Sequence, residues 1–183
     1  MLQYQKNKEV LIMKWFIASD IHGSEYWCRK MLEAFENEHA DRILLLGDLL
    51  YHGPRNDLPR DYNPKAVIEM LNAHKDIIFA VRGNCDSEVD GMVLGFPILA
   101  DYTVICDGDT VIFATHGHVY NEDKLPPLKK GTILLHGHTH VSKRTEHENY
   151  TYMNPGSVSI PKENTPHGYM TLENGIFEWK TLE

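Results

Sequence analysis

The chain has 183 residues, 42% hydrophobic and 24% charged, with a formal net charge of −8. Its length suits one domain with a single substantial core, and its composition is that of an ordinary soluble globule. No run of Lys and Arg stands out, which speaks against a nucleic-acid-coating surface, and no apolar stretch approaches the ~20 residues of a transmembrane helix.

Cys28, Cys85 and Cys106 are too few and too unevenly spaced for a disulfide framework. A reducing, cytoplasmic compartment is the expectation. Met1–Phe16 does not read as a signal peptide: its apolar stretch is short, is broken by Lys14, and lacks a small-residue cleavage site. Residues 1–12 read as an N-terminal extension, or as sequence ahead of a start at Met13. There is no internal linker, low-complexity tract or repeat, so residues 1–183 read as one domain.

Trp15–Ala18 is a short apolar run and predicts a buried strand. Ser24 predicts a helix N-cap, with Trp27, Met31 and Phe35 at i, i+4 and i+8 forming the apolar face. Ile43–Leu46 predicts a second strand. Tyr51–Asn63 is a long loop rich in Gly, Pro, Asn and Asp, a feature often tied to function. Asn63-Pro64 is a cap followed by proline at the first helical position, ahead of Val67, Ile68 and Leu71. Ile77–Val81 predicts a third strand. This βαβαβ order implies parallel pairing with right-handed crossovers.

The second half is richer in strands. Tyr102–Cys106 and Thr110–Ala114 flank an Asp-Gly-Asp turn and predict a hairpin. Thr132–Leu135 and Tyr150–Met153 are further strands. Gly168–Leu172 and Ile176–Lys180 flank Glu173-Asn174-Gly175, a second hairpin. The expected class is α/β (α+β): two packed mixed β-sheets, a β-sandwich, flanked by helices.

The chemistry gathers where apolar runs end in glycine-containing turns. Asp20-Ile21-His22 places two metal-ligating types at i and i+2, on one side of an extended chain. Gly47-Asp48 offers a carboxylate whose two oxygens can bridge two cations. Asn84, in Gly83-Asn84, offers a neutral carbonyl oxygen suited to Mn²⁺- or Mg²⁺-like ions. Five of the 11 histidines crowd into His116-Gly117-His118 and His136-Gly137-His138-Thr139-His140. Taken singly, the D-x-H, GD and GN signals fit turns and helix caps, and the histidine pairs fit hydrated loops. Together in one chain they point to a shared site.

The order D-x-H, GD, GN, HGH, GHTH resembles the calcineurin-like metallophosphoesterase superfamily over nearly the whole chain. The strings SDIHGS, GDLLYHGPRNDLP, AVRGNCDSEVD, FPI, THGH, GHTH and NPGSVSIPK carry the resemblance, and it is closest to small bacterial phosphodiesterases. It implies a sandwich flanked by helices and two divalent metal ions. One ion would be held by Asp20, His22, Asp48 and His140, the other by Asp48, Asn84, His116 and His138, with Asp48 bridging. His118 would lie nearby, against a ligand or the substrate.

Two divalent ions bring +4; Asp20 and Asp48 leave about +2, and a bridging hydroxide about +1, a charge that favours a phosphate anion. The implied reaction is hydrolysis of a small phosphate ester, a diester above all, by metal-bound hydroxide. Mn²⁺ is the foremost cofactor, with Ni²⁺, Co²⁺, Fe or Zn²⁺ as alternatives. One position departs from many members: Cys85 stands where a leaving-group histidine is usual. An unperturbed thiol, with a pKa of ~8.5, can donate a proton less aptly than imidazolium, which implies dependence on good leaving groups. Equally, Cys85 can be a small packing residue beside the site. Arg55 is a candidate for gripping a non-bridging phosphate oxygen, with His52 and Arg82 as weaker candidates. A phosphomonoesterase and a catalytically weak interaction scaffold are the competing readings. A homo-oligomer is compatible with the resemblance, although no interface stripe stands out.

Overall fold

The computed structural model describes residues 13–183; the expected extension at residues 1–12 lies outside the described residues. Thirteen elements follow in order. They are β1 (Trp15–Ala18), α1 (Glu25–Asn37), β2 (Arg42–Leu45), α2 (Pro64–Ala73), β3 (Ile78–Ala80), α3 (Glu88–Val93), β4 (Tyr102–Asp107), β5 (Thr110–Thr115), β6 (Thr132–Leu135), β7 (Lys143–Glu146), β8 (Tyr150–Asn154), β9 (Gly168–Glu173) and β10 (Ile176–Thr181). They build two five-stranded sheets, ordered β10-β9-β1-β2-β3 and β4-β5-β6-β8-β7. Among the described residues no helix is long and apolar enough to cross a membrane.

The expected parallel unit is present. β1 pairs with β2 and β2 with β3, all parallel, with Ile17 opposite Leu44 and Leu44 opposite Phe79. Alternation along the chain splits the core into layers. Phe16, Ala18, Ile43 and Leu45 pack with Met31, Phe35, Val67 and Leu71 of α1 and α2. Trp15, Ile17 and Leu44 face the other way and meet Ile112, Ala114, Leu135 and Met153 of the second sheet. The first sheet is thus covered on both faces.

Helices start where the capping residues predict. Ser24 Oγ accepts from the Trp27 amide, and Asn63 Oδ1 from the Ala66 amide with Pro64 at the first turn. On α1 the buried positions are Cys28, Met31, Leu32 and Phe35, so the face includes Cys28, while Trp27 sits at its margin.

Two features depart from the sequence expectation. β7 (Lys-Arg-Thr-Glu) has no apolar pattern; it is an edge strand, where charged side chains protect an open edge. α3 is short, buries no side chain, and is set by a Ser87–Asp90 capping box. The helices flank the first sheet, and on the far face of the second sheet Phe113, Leu134 and Tyr152 are covered by Tyr120 and Leu128 of the segment after β5. The final hairpin turns on Asn174 and Gly175, both with positive φ (53° and 75°), and adds β9 antiparallel to β1.

Candidate metal centre

Each motif sits just beyond the C-terminal end of a strand from a parallel pair: Asp20 and His22 after β1, Asp48 after β2, Asn84 after β3, His116 after β5, and His138 and His140 after β6. The two sheets bring these ends together. All seven residues read from the sequence as metal ligands converge.

Two overlapping groups result. His22 Nε2 and His140 Nε2 lie 3.2 Å apart, and Asp20 Oδ1 is 3.6 Å from the first and 3.3 Å from the second. On the other side, His116 Nε2 lies 3.0 Å from Asn84 Oδ1 and 3.2 Å from His138 Nδ1. Asp48 Oδ2 stands between the groups, 3.7 Å from His22 Nε2 and 3.5 Å from His116 Nε2. The sets Asp20/His22/His140 and Asp20/Asp48/His116 each gather ligand atoms within 4.8 Å. So does His22/Asp48/Cys85, which puts the thiol beside the cluster.

The donor set fits divalent cations on its own geometry. His22, His140 and His116 each direct Nδ1 at a main-chain carbonyl, of Tyr51, Ile160 and Leu46 respectively, at 2.7 Å. A carbonyl only accepts, so each Nδ1 carries a proton and each Nε2 is the nitrogen left to bind an ion. Two such nitrogens facing one another at 3.2 Å make no hydrogen bond, and a divalent cation is the group they would share. Asp20 Oδ1 is buried and accepts no hydrogen bond, while Oδ2 accepts from the His138 amide. Asp48 likewise commits Oδ1 to the Cys85 amide and leaves Oδ2 toward the histidines.

Electrostatics agree. Burial would raise the Asp20 carboxyl, but His140 and His22 beside it hold it well below the usual range; burial likewise opposes charge on Asp48, and His116 lowers it. Burial works against charge on His116, yet Asp48 and Asp20 push it up to about 9, so without an ion a proton is favoured at Nε2, the place a divalent cation would take. The carboxylates call for positive charge at this point. His138 is pushed down to about 4 by burial and the charge of His116, so it stays a neutral donor.

The backbone is strained to achieve this. Asp20, His22, Asp48, His138 and His140 all have φ between 49° and 67°, the left-handed region that non-glycine residues seldom occupy. Hydrogen bonds hold them there. The Asp20 carbonyl accepts from the hydroxyls of Ser157 (2.9 Å) and Ser159 (3.0 Å). The Asp86 carboxylate accepts from the amides of Asp48, Leu49 and Gly83 at 2.7–2.9 Å, locking the turn after β2 to the turn after β3. Gly137 is required by close approach: a Cβ there would collide with Ser19 Oγ and reach Asp20 Oδ2 at 2.6 Å.

The remaining candidates separate. Arg55 is exposed and lines a cleft of about 400 Å³ with Asp48, Asn84, Cys85, His138 and His140. Cys85 Sγ accepts from Asn84 Nδ2 at 3.2 Å. Burial and the Asp48 carboxylate push its thiol up, so it releases a proton less readily than the unperturbed value assumed from sequence. His118 lies beside His116, ring centroids 5.4 Å apart, but is not part of the cleft lining. His52 packs between Tyr51 and Tyr62. Arg82 turns to the Asp86 carbonyl and Glu88. Sequence reasoning passed over Asp86, Ser157, Ser159 and Lys162, although all four lie within the strings AVRGNCDSEVD and NPGSVSIPK. Their type alone gave no signal, because a supporting role depends on which amide or carbonyl lies opposite.

Comparison with known proteins gives the family. Residues 13–175 match the model of the calcineurin-like phosphoesterase superfamily domain. The chain is 46% identical over 167 residues to phosphodiesterase YfcE of Escherichia coli (strain K12), covering 90% of each. It is 25% identical over 178 residues to the probable metallophosphoesterase YsnB of Bacillus subtilis (strain 168), covering 88% of this chain and 86% of that one. The solved structure of the E. coli YfcE phosphoesterase superposes with a TM-score of 0.90 at 44% identity, covering 93% of both chains. Vacuolar protein sorting 29 from Cryptosporidium parvum, at 17% identity and a TM-score of 0.58 over 92% of this chain and 96% of that one, shares the fold alone. By its matched length and its identity to YfcE, this chain belongs to the calcineurin-like phosphoesterase superfamily.

Proposed function

We propose that the protein is a phosphodiesterase that hydrolyses small phosphate diesters at a two-metal centre. The observation that carries this reading is the pair of donor groups sharing Asp48 Oδ2, with Nε2 atoms and bare carboxylate oxygens facing inward. The likeness to YfcE, named a phosphodiesterase, supports it. Asp20, His22, Asp48 and His140 would hold one ion; Asp48, Asn84, His116 and His138 the other. When bound, the two ions supply the water-derived nucleophile and the charge that stabilises the phosphoryl group. The oxygen- and nitrogen-rich set favours Mn²⁺, with Ni²⁺, Co²⁺, Fe or Zn²⁺ as alternatives.

The protein's own side chains do the rest. Arg55 takes a non-bridging phosphate oxygen from the cleft wall. Cys85, beside Asn84, stands on the leaving-group side, so the enzyme favours esters that leave without strong proton donation. His118 assists only through His116. With three free cysteines and no disulfide, the chain suits a reducing cytoplasm.

The test is turnover of bis-p-nitrophenyl phosphate and p-nitrophenyl phosphate with and without Mn²⁺. The expected result is Mn²⁺-dependent hydrolysis of the diester faster than the monoester. Asp48→Asn is expected to lower that rate on the order of 10³-fold, since it removes several kcal/mol of charge stabilisation. Absence of turnover with Mn²⁺, Ni²⁺ and Co²⁺ alike would return the fold to the scaffold reading, and a faster monoester would make it a phosphomonoesterase.

A further inference from the structure

The cleft over the metal centre is large enough for a whole small molecule rather than a phosphate group alone. Its wall carries two basic side chains, Arg55 and Lys162, both exposed, and Asp48 is the one carboxylate among its lining residues. Among the described residues neither base takes part in an ion pair.

Both bases are tied through the main chain to the histidines of one metal group. The loop bearing Arg55 starts at Tyr51, whose carbonyl accepts from His22 Nδ1. The segment bearing Lys162 starts at Ile160, whose carbonyl accepts from His140 Nδ1. Lys162 is held more tightly still. Its amide donates to the His140 carbonyl at 3.0 Å, and its own carbonyl accepts from the amide and hydroxyl of Thr165. Thr165 Oγ1 also reaches the His140 carbonyl at 3.3 Å. Glu163 and Asn164 follow with φ of 53° and 59°, a tight turn that fixes where the lysine emerges. A flexible ammonium on a fixed backbone suits a point charge whose position varies, whereas the planar guanidinium of Arg55 suits a phosphate edge.

The charges do not balance with a simple substrate. Two divalent ions, two carboxylates and a hydroxide leave about +1, which one monoanionic diester already matches. Arg55 and Lys162 then stand in surplus, on a chain whose net charge is −8. We infer that Lys162 is a specificity-determining residue that binds a second anionic group of the substrate, beyond the scissile phosphate. The substrate class is a phosphodiester whose alcohol part carries a further phosphate, carboxylate or sulfonate. This inference rests on the phosphodiesterase reading.

The test uses two p-nitrophenyl alkyl phosphodiesters of equal arm length, one ending in hydroxyl and one in sulfonate, which is permanently anionic and a poor metal ligand. With the Mn²⁺-loaded wild type, KM for the sulfonate ester is expected about tenfold lower, with similar kcat. Lys162→Gln brings the two KM values together, Lys162→Arg keeps them apart, and Lys162→Glu reverses their order. Calorimetric binding of the matching non-hydrolysed methylphosphonate esters gives the same ratios without turnover. Equal KM and Kd ratios in wild type and Lys162→Gln overturn the inference. A wild type that turns over neither ester overturns the phosphodiesterase reading instead, and the calorimetric comparison still decides the role of Lys162.

Discussion

Two clusters of charged side chains in this molecule follow opposite rules. At the strand ends, Asp20 Oδ1 is buried without a donor and three histidine Nε2 atoms converge on the site. Beyond the C-terminus of α1, the Glu38 carboxylate is saturated: Lys14, Lys180 and Tyr169 all donate to it at 2.8–2.9 Å. The first cluster is assembled at a cost in strain and desolvation and leaves acceptors open; the second closes every valence it can reach. A buried polar group left open marks binding, and one fully met marks stability.

The largest effect that would sharpen this contrast falls on the carboxylate serving the open cluster. Asp86→Asn replaces one of its acceptor oxygens with an NH₂ that faces main-chain amides. The expected outcome is a 10- to 100-fold loss of Mn²⁺ affinity, read by calorimetry, with a similar fall in turnover. Unchanged affinity would mean that the strained turns after β2 and β3 hold their shape without it.

A smaller effect is expected at Cys85. On diesters of graded leaving-group pKa, wild type should slow steeply as the leaving group worsens. Cys85→His should flatten that dependence and speed poor leaving groups by about 10- to 100-fold, the lower reach of general-acid catalysis. Cys85→Ala separates a proton donor from a packing residue: a slope equal to wild type removes the thiol from the chemistry.

The smallest effect belongs to the closed cluster and should leave metal binding untouched. Burial opposes charge on Glu38, but Lys14, Lys180 and Tyr169 hold its carboxyl down at about 2 against an ordinary 4.5. A depressed carboxyl stabilises the fold fully above the ordinary value, and that contribution fades as pH falls from about 4.5 toward about 2. Allowing for solvent screening, Glu38→Gln should cost about 1–2 kcal/mol at neutral pH. Urea denaturation at several pH values checks this: the gap between wild type and variant should narrow below pH 4.5. A gap that ignores pH would show that packing, rather than charge, holds that corner.

The sequence by itself determined the floor of the site. The i, i+2 pairs and strand-end glycines marked the motifs, and the resemblance to metallophosphoesterases picked Asp20, His22, Asp48, Asn84, His116, His138 and His140 out of them as candidate ligands, because strand ends place such side chains together. It also determined the three parallel strands, both capped helices and both hairpins, whose signals are local. Edge strand β7 stayed hidden, since a charged edge carries no apolar period, and α3 is held by its cap alone. Only the tertiary structure decided the supports and the rim. Asp86 matters because three amides from two distant turns point at it, and Arg55 and Lys162 share a cleft although 107 positions separate them. Those roles arise from what lies across space, and no spacing along the chain encodes them.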